Sequence, residues 1–506
     1  MPAGRERTAS QRYEEVCGCR SSRPISNMGR ETSRVRAALP HQADVLQWAS
    51  KRGQIALFLQ MRLGKTLVAI RWAKKRLAGK PDPVLIVAPK PTWEAWEDEC
   101  EAEQVVLMPL DGPVKERHLV AQEELDSLGP TWFITNYEGL FERKPRGVKS
   151  KKPWPSGLAV FPWSVVILDE STKIRMPKSQ TSQVACAELA HAKSKAILTG
   201  LPNPEGSLDY FQQFKFLYGR FLGCTNWFQF RSRYYEQFGY DWNPKPGTLP
   251  LIRARVDRQA YVLTRKQAGL GERKIYERRY VDLPEHVRAA MAEAERDFAI
   301  GDCETKWVPV VQNWLSQLTG GRGPHAEFHH DAKLDELVDL LTGELKKEPT
   351  VVWFWFNDQL RAADERLRAA GVSTVRLHGG VGRELRKERL RLCRQGKRRV
   401  ALVQLRLGRF GLNYSFASTA IYFSNGYEHE IRAQSEDRIV HLQKKDPLLY
   451  VDLVARGSID EDILDSLGSK AASAAVFRSK IIAKLKARIA TRAPNGGRLG
   501  RRVGGS

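Results

Sequence analysis

At 506 residues the chain is longer than a single hydrophobic core usually supports, so two or three domains are expected. Hydrophobic residues at 42% and charged residues at 28% give the balance of a globular protein, and the lack of any run of about 18 apolar residues excludes an ordinary membrane span. Lys and Arg number 82 against 58 Asp and Glu, and the net charge of +24 points to a polyanionic partner, nucleic acid first among them.

Residues 1–36 are polar and Arg-rich and read as a flexible basic arm. They hold no apolar stretch of the secretory kind, so a cytoplasmic location is expected. From 37 to 204, short apolar runs alternate with helical patterns: ALFL (56–59), VLIVAP (84–89), WFIT (132–135), VVILDE (165–170) and AILTG (196–200). Runs of Val, Ile and Leu bounded by turn residues suit buried parallel strands, and the helices between them suit crossovers. An α/β lobe is predicted here. Residues 205–330 are aromatic-rich, Arg-rich and mostly helical in pattern, and read as a helical insertion and linker. Between 331 and 468 the alternation returns, with LDELVDLLTGEL, VVWFWF (351–356), VSTVRLHG, VALVQL and TAIYFS, which predicts a second α/β lobe. Residues 469–506 contain no acid. Lys480, Lys484 and Arg488 recur every four residues there, the pattern of a basic amphipathic helix followed by a Gly/Arg tail. Seven scattered cysteines without a CxxC pair read as reduced thiols rather than a zinc site.

Two motifs carry chemistry. ALFL runs into QMRLGKT and then into a helical stretch, the strand–turn–helix order a phosphate loop requires. Gly64 and the amides at the helix start would cradle phosphate, Lys65 would neutralise its oxygens, and the Thr66 hydroxyl would bind magnesium. The full spacing of such a loop asks for Gly where Leu59 stands. About a hundred residues on, five apolar residues deliver Asp169 and Glu170 to a strand end, where ligands of open α/β sheets bind. Asp169 would hold Mg2+, and Glu170 would orient or deprotonate the attacking water. Together they predict a nucleoside triphosphatase using ATP and Mg2+.

Around these motifs the chain resembles the Swi/Snf-type branch of the superfamily-two helicase-like ATPases, especially its compact bacterial and phage-borne members. LPHQADVLQWA (39–49) resembles the family's adenine-reading segment, with Gln42 on the adenine edge. MRLGKT is similar to MGLGKT, with Arg62 where Gly is usual, and this family often lacks the first glycine of the loop. VLIVAPKPTWEAW and FITNYEGL resemble segments that touch a nucleic-acid backbone, DEST resembles DEAH, and LTGLPNP resembles the coupling motif LTGTP, with Thr199 linking nucleotide state to lobe position. YVLTRKQAGLGERKIYERRYVDLP resembles the family's arginine-rich segment, although solvated arginine on helical packing is an alternative for Arg265 and Lys266. QLRLGRFGLN resembles STRAGGLGLN, which implies that Gly411 and Asn413 lie near the interlobe cleft. IRAQSEDRIVHLQKKD resembles QAEDRxHRIGQ: Gln434 and Arg438 match, while His441 replaces the usual arginine finger, so either Arg438 or Arg432 would supply the charge or hydrolysis would be slow.

The resemblance implies two RecA-like lobes, each a parallel sheet flanked by helices, with the helical insertion between them. It implies an ATP hydrolase that moves on nucleic acid, double-stranded DNA by expectation, through phosphate contacts. Its catalytic residues would be Lys65, Asp169, Glu170 and Arg438. Gln42, Gly64, Lys65, Thr66, Gly411 and Gln434 would bind the cofactor, and Thr66 and Asp169 the metal. The alternatives are a strand-separating DNA or RNA helicase, the motor subunit of a restriction system, and a nucleic-acid-binding scaffold with a decayed ATPase.

Overall fold

The structure, a computed structural model, describes residues 37–468 apart from 130, 143–152, 205, 239–240, 272–273, 298, 301–302, 306, 324–327, 410–411 and 441–446. The expected basic arm (1–36), the basic helix and tail (469–506), Gly411 and His441 therefore lie outside the described residues. For most of its length the chain divides at residues 272 and 273 into two compact units.

The first unit is built on a parallel sheet of seven strands. In chain order they are β1 (Gln54–Leu59), β2 (Val84–Val87), β3 (Leu107–Pro109), β4 (Trp132–Thr135), β5 (Val165–Asp169), β6 (Ser194–Leu198) and β7 (Ala260–Leu263). Across the sheet the order is β7-β1-β6-β5-β2-β4-β3, and every pairing is parallel. The strands read as unbroken apolar runs because both faces are covered. Ala56, Phe58, Leu85, Val87, Val166 and Leu168 pack on one face in a core shared with α4 (Arg117–Asp126), α5 (Gln180–Ala187) and α6 (Tyr210–Tyr218). Ile55, Leu57, Leu59, Val84, Ile86, Val165 and Ile167 pack on the other, against α1 (Pro40–Ser50), α2 (Lys65–Leu77) and α3 (Trp93–Ala102). Alternate residues of one strand thus serve two cores, as the two-residue period of a strand dictates.

The second unit holds a six-stranded sheet, again wholly parallel. Its strands are β8 (Lys274–Val281), β9 (Thr350–Phe354), β10 (Thr374–Leu377), β11 (Val400–Gln404), β12 (Thr419–Tyr422) and β13 (Leu448–Ala455), in the order β8-β13-β12-β9-β11-β10. One face packs on α7 (Ala332–Thr342) and α8 (Asn357–Ala369) through Leu337, Leu341, Leu360 and Leu367. Beside the sheet stands α9 (His429–Ile439). The two parallel sheets flanked by helices match the architecture expected from the sequence.

The segment 205–330 departs from the helical insertion expected of it. It does contain helices, but Ala260–Leu263 is the edge strand of the first sheet and Lys274–Val281 the edge strand of the second. Helices within 285–319 pack on the second unit around Val287, Leu315 and Ile463. Edge strands pair on one side only, and KIYERRYV leaves Ile275, Tyr276, Arg278 and Tyr280 exposed. Its charges therefore hid a strand that its neighbour's backbone readily accepts. Among the described residues no helix is long and apolar enough to cross a membrane.

Candidate active site

All strands of the first sheet run the same way, so β1, β6 and β5, which are adjacent, end on one edge. Leu57 is in register with Leu198, and Leu198 with Asp169. The loop after β1, Thr199 after β6 and Glu170 after β5 are consequently side by side, though Gly64 and Thr199 lie 135 positions apart in the sequence.

The loop after β1 turns sharply. Arg62 has φ +68° and Gly64 φ +79°, and α2 starts at Lys65. Gly64 is required twice over. The left-handed backbone favours a residue without a side chain, and a Cβ here would come within 2.2 Å of Gln42 Nε2. The Gln42 carboxamide bridges α1 to this loop: Oε1 accepts from Leu39 N (3.0 Å) and Nε2 donates to Leu63 O (3.5 Å). His41 Nε2 lies 3.3 Å from the same carbonyl. Lys65 Nζ donates to Leu59 O at 3.0 Å, and a Cβ on Gly200 would stand 3.5 Å from that amine. The lysine and the LTGLP segment are therefore neighbours. Thr66, in the first turn of α2, is half-buried.

Asp169 is 8% exposed and fixed on three sides. Trp96 Nε1 donates to Oδ2 at 2.9 Å, Glu170 N donates to Oδ1 at 3.0 Å, and the Tyr137 hydroxyl donates to the main-chain oxygen at 2.7 Å. Burial first, and then the charges of Asp169 and Glu170, raise the Tyr137 phenol well above its ordinary value, so it remains a donor. Glu170 adopts φ +51°, a strained conformation for a residue with a side chain. Thr199 Oγ1 donates to Glu170 Oε2 over a long 3.4 Å and accepts from Leu201 N at 3.2 Å. Gln213, on α6, ties the two strand ends together: its Oε1 accepts from Ser171 Oγ (2.7 Å) and its Nε2 donates to Pro202 O (2.7 Å).

Arg265 corrects the reading of solvated arginine. It is 2% exposed, its amide donates to Gln60 Oε1 (2.9 Å) and its Nη1 to Met61 O (3.3 Å), so it props the loop after β1 from the neighbouring edge strand. Pattern reasoning also missed Trp96, Tyr137 and Gln213. In sequence they are indistinguishable from core residues, and only the nonlocal pairing shows where their polar tips end.

In the second unit, Gln434 and Arg438 lie four residues apart on one face of α9. Gln434 Nε2 donates to Glu430 Oε1 at 3.1 Å, while its own Oε1 is buried without a hydrogen-bond partner among the described residues. Arg438 is half-buried. Arg432 occupies another face and is committed to the unit's interior. Its Nη1 and Nη2 donate to both oxygens of Asp452 (2.5 and 2.9 Å), its Nε to Glu436 (2.9 Å), and its guanidinium lies 3.4 Å from the Tyr422 ring centroid. Arg432 is thereby a structural residue rather than a substitute arginine finger.

A parallel sheet whose edge carries a phosphate loop, a carboxylate pair and a threonine between them defines a P-loop ATP hydrolase; the second parallel sheet makes it the two-lobed, helicase-like kind. Family comparison agrees, with the SNF2-related domain matching residues 41–240 and the helicase conserved C-terminal domain matching residues 332–443. The chain belongs to the Swi/Snf-type branch of the superfamily-two helicase-like ATPases. It is 23% identical over 472 residues to the Zorya protein ZorD of Escherichia coli, covering 80% of this chain and 41% of ZorD. It is 22% identical over 464 residues to the ISWI chromatin-remodeling complex ATPase ISW1 of Saccharomyces cerevisiae, covering 85% of this chain and 40% of ISW1. The chain thus spans about two fifths of the length of these relatives. Among solved structures it is similar to the Sulfolobus solfataricus SWI2/SNF2 ATPase core in complex with dsDNA, at 16% identity and a TM-score of 0.39, covering 92% of this chain and 98% of that one. At that TM-score the fold assignment stands on strand order and register.

Proposed function

We propose that the chain hydrolyses magnesium-bound ATP and uses the cycle to move along duplex DNA. The observation that carries this reading is the convergence of Lys65, Asp169, Glu170 and Thr199 on one sheet edge, in a chain of net charge +24. The donor set suits the cofactor. Among the described residues no group of three or more His, Cys, Asp or Glu side chains could hold a metal unaided. Magnesium needs few protein ligands, since it takes one or two oxygens and completes its shell with phosphate and water. Thr66 and Asp169 would hold it, and the ion would neutralise the charge that builds on the phosphate oxygens.

The first amides of α2 and the Lys65 amine bind phosphate, the amine leaving Leu59 O to do so. Glu170, steadied by Thr199, orients the attacking water and takes its proton. A shift of Glu170 reaches Pro202 through two routes, Thr199 and the Ser171–Gln213 bridge, which gives the site a path for reporting nucleotide state. Arg438 is our candidate for the arginine that stabilises the reacting phosphate. Arg62 in place of glycine does not mark decay, since the loop keeps a left-handed turn around it.

Contacts on the DNA would be mainly to phosphate, with little sequence preference and a strong dependence on salt. ATP turnover measured with no nucleic acid, single-stranded DNA, duplex DNA and RNA tests the reading. Duplex DNA is expected to stimulate most, and equal turnover in all four would remove the motor.

A further inference from the structure

We propose that Trp96 is a positioning residue for the magnesium site, its indole N–H setting the plane of the Asp169 carboxylate. The inference rests on the magnesium–ATP reading above and adds to it a specific determinant of metal affinity.

Trp96 is 1% exposed, and an apolar stripe of α3 accounts for its ring. Packing does not account for its nitrogen, which donates to Asp169 Oδ2 at 2.9 Å. The second oxygen accepts from Glu170 N at 3.0 Å. A carboxylate offers two lone-pair directions on each oxygen. With one direction on each oxygen taken by a donor fixed in the backbone or the core, rotation about the Cβ–Cγ bond is blocked. A cation held by Asp169 would then meet a carboxylate of set plane. Both donors are neutral, so they orient the carboxylate without cancelling its charge. Groups that orient metal ligands in this way typically contribute about 10–100-fold in metal affinity or activity. Trp96 also joins two parts of the first unit: α3 follows directly on the PKPTW segment, so a displacement of that segment would act on the metal ligand through one bond.

Trp93, one turn earlier on the same helix, supplies a matched control. It is equally buried, at 3% exposed, but its indole N–H donates to Ala88 O at 3.0 Å, away from Asp169. Trp96→Phe and Trp93→Phe each remove one indole from the same core, and only the first removes a bond to the carboxylate.

The experiment titrates Mg2+ against binding of a non-hydrolysable ATP analogue by calorimetry, in the full chain and in both variants, with thermal melting as a fold check. Trp96→Phe is expected to raise the half-saturating Mg2+ concentration about tenfold while leaving metal-free analogue binding unchanged. Trp93→Phe is expected to leave the Mg2+ requirement where it was. In turnover assays Trp96→Phe should lower kcat more than it raises the KM for ATP. Equal Mg2+ requirements in the two variants would overturn the proposal while leaving the site reading intact. Absence of any Mg2+-dependent analogue binding in the unaltered chain would overturn both. Should the phenylalanine prevent folding, indole N–H resonances of the unaltered chain decide the matter. One of its 13 tryptophans is expected to shift when Mg2+ joins the nucleotide, the same one that shifts in Asp169→Asn, and no responding indole overturns the proposal.

Discussion

Asp169 in the first unit and Arg432 in the second are buried to nearly the same degree, 8% and 7% exposed, and both sit in motifs that resemble catalytic segments. Their surroundings differ. Two of the bonds that hold Asp169 come from neutral donors, an indole and a backbone amide. Arg432 is met by two carboxylates, the Asn425 carboxamide and the face of a tyrosine. A buried charge enclosed by opposite charges is spent on the fold, because its field is cancelled where it stands. The indole and the amide orient the Asp169 carboxylate without cancelling its charge. Burial and motif position alone would rank the two residues alike; the character of the partners separates them.

That contrast can be broken in four places. The largest effect is expected from Asp452→Asn, which takes away the two-pronged carboxylate partner of the buried Arg432 guanidinium and leaves it the carboxylate of Glu436 alone. It should lower the stability of the second unit by about 3–5 kcal/mol in denaturant unfolding, and the double variant Arg432→Met, Asp452→Leu should regain most of that loss. Next comes Lys65→Ala, expected to cut ATP turnover by about 100-fold or more with the melting temperature nearly unchanged; a stability loss matching that of Asp452→Asn would erase the distinction between the units. Arg265→Ala removes the prop beneath the phosphate loop and should raise the KM for ATP about tenfold, roughly 1.4 kcal/mol, with less effect on kcat. The smallest effect belongs to Arg62→Gly. Relieving a left-handed side-chain residue should stabilise the first unit by about 0.5–1 kcal/mol, read as a rise in the thermal midpoint.

Much of the fold was legible because parallel strands buried on both faces spell themselves out. WFIT is the fourth strand, while the runs VVILDE and VALVQL each extend one residue past the strands Val165–Asp169 and Val400–Gln404. The edge strand KIYERRYV was not legible, since pairing on one side leaves room for charge. At the site, Gly64, Lys65, Asp169 and Glu170 were readable from spacing and from the strands that deliver them. What spacing could not supply was the second partner of an aromatic residue. Trp96 and Trp93 look alike in the sequence, and their nitrogens reach a carboxylate and a carbonyl that local pattern does not bring near. Arg432 and Arg438 posed the same difficulty, because six residues on one helix separate an interior residue from a half-buried one.

The edge strand Lys274–Val281 runs parallel to Leu448–Ala455 with all eight residues in register, directly after the stretch that leaves the first unit. Tension applied along the axis of that strand would load its whole pairing with Leu448–Ala455. The eight-residue ladder would then be sheared as a block rather than peeled one rung at a time. Shear spreads a pull over every rung at once, so the attachment yields only at high force. The segment expected to be a helical insertion and linker thus contributes, in this strand, an attachment built into the second sheet.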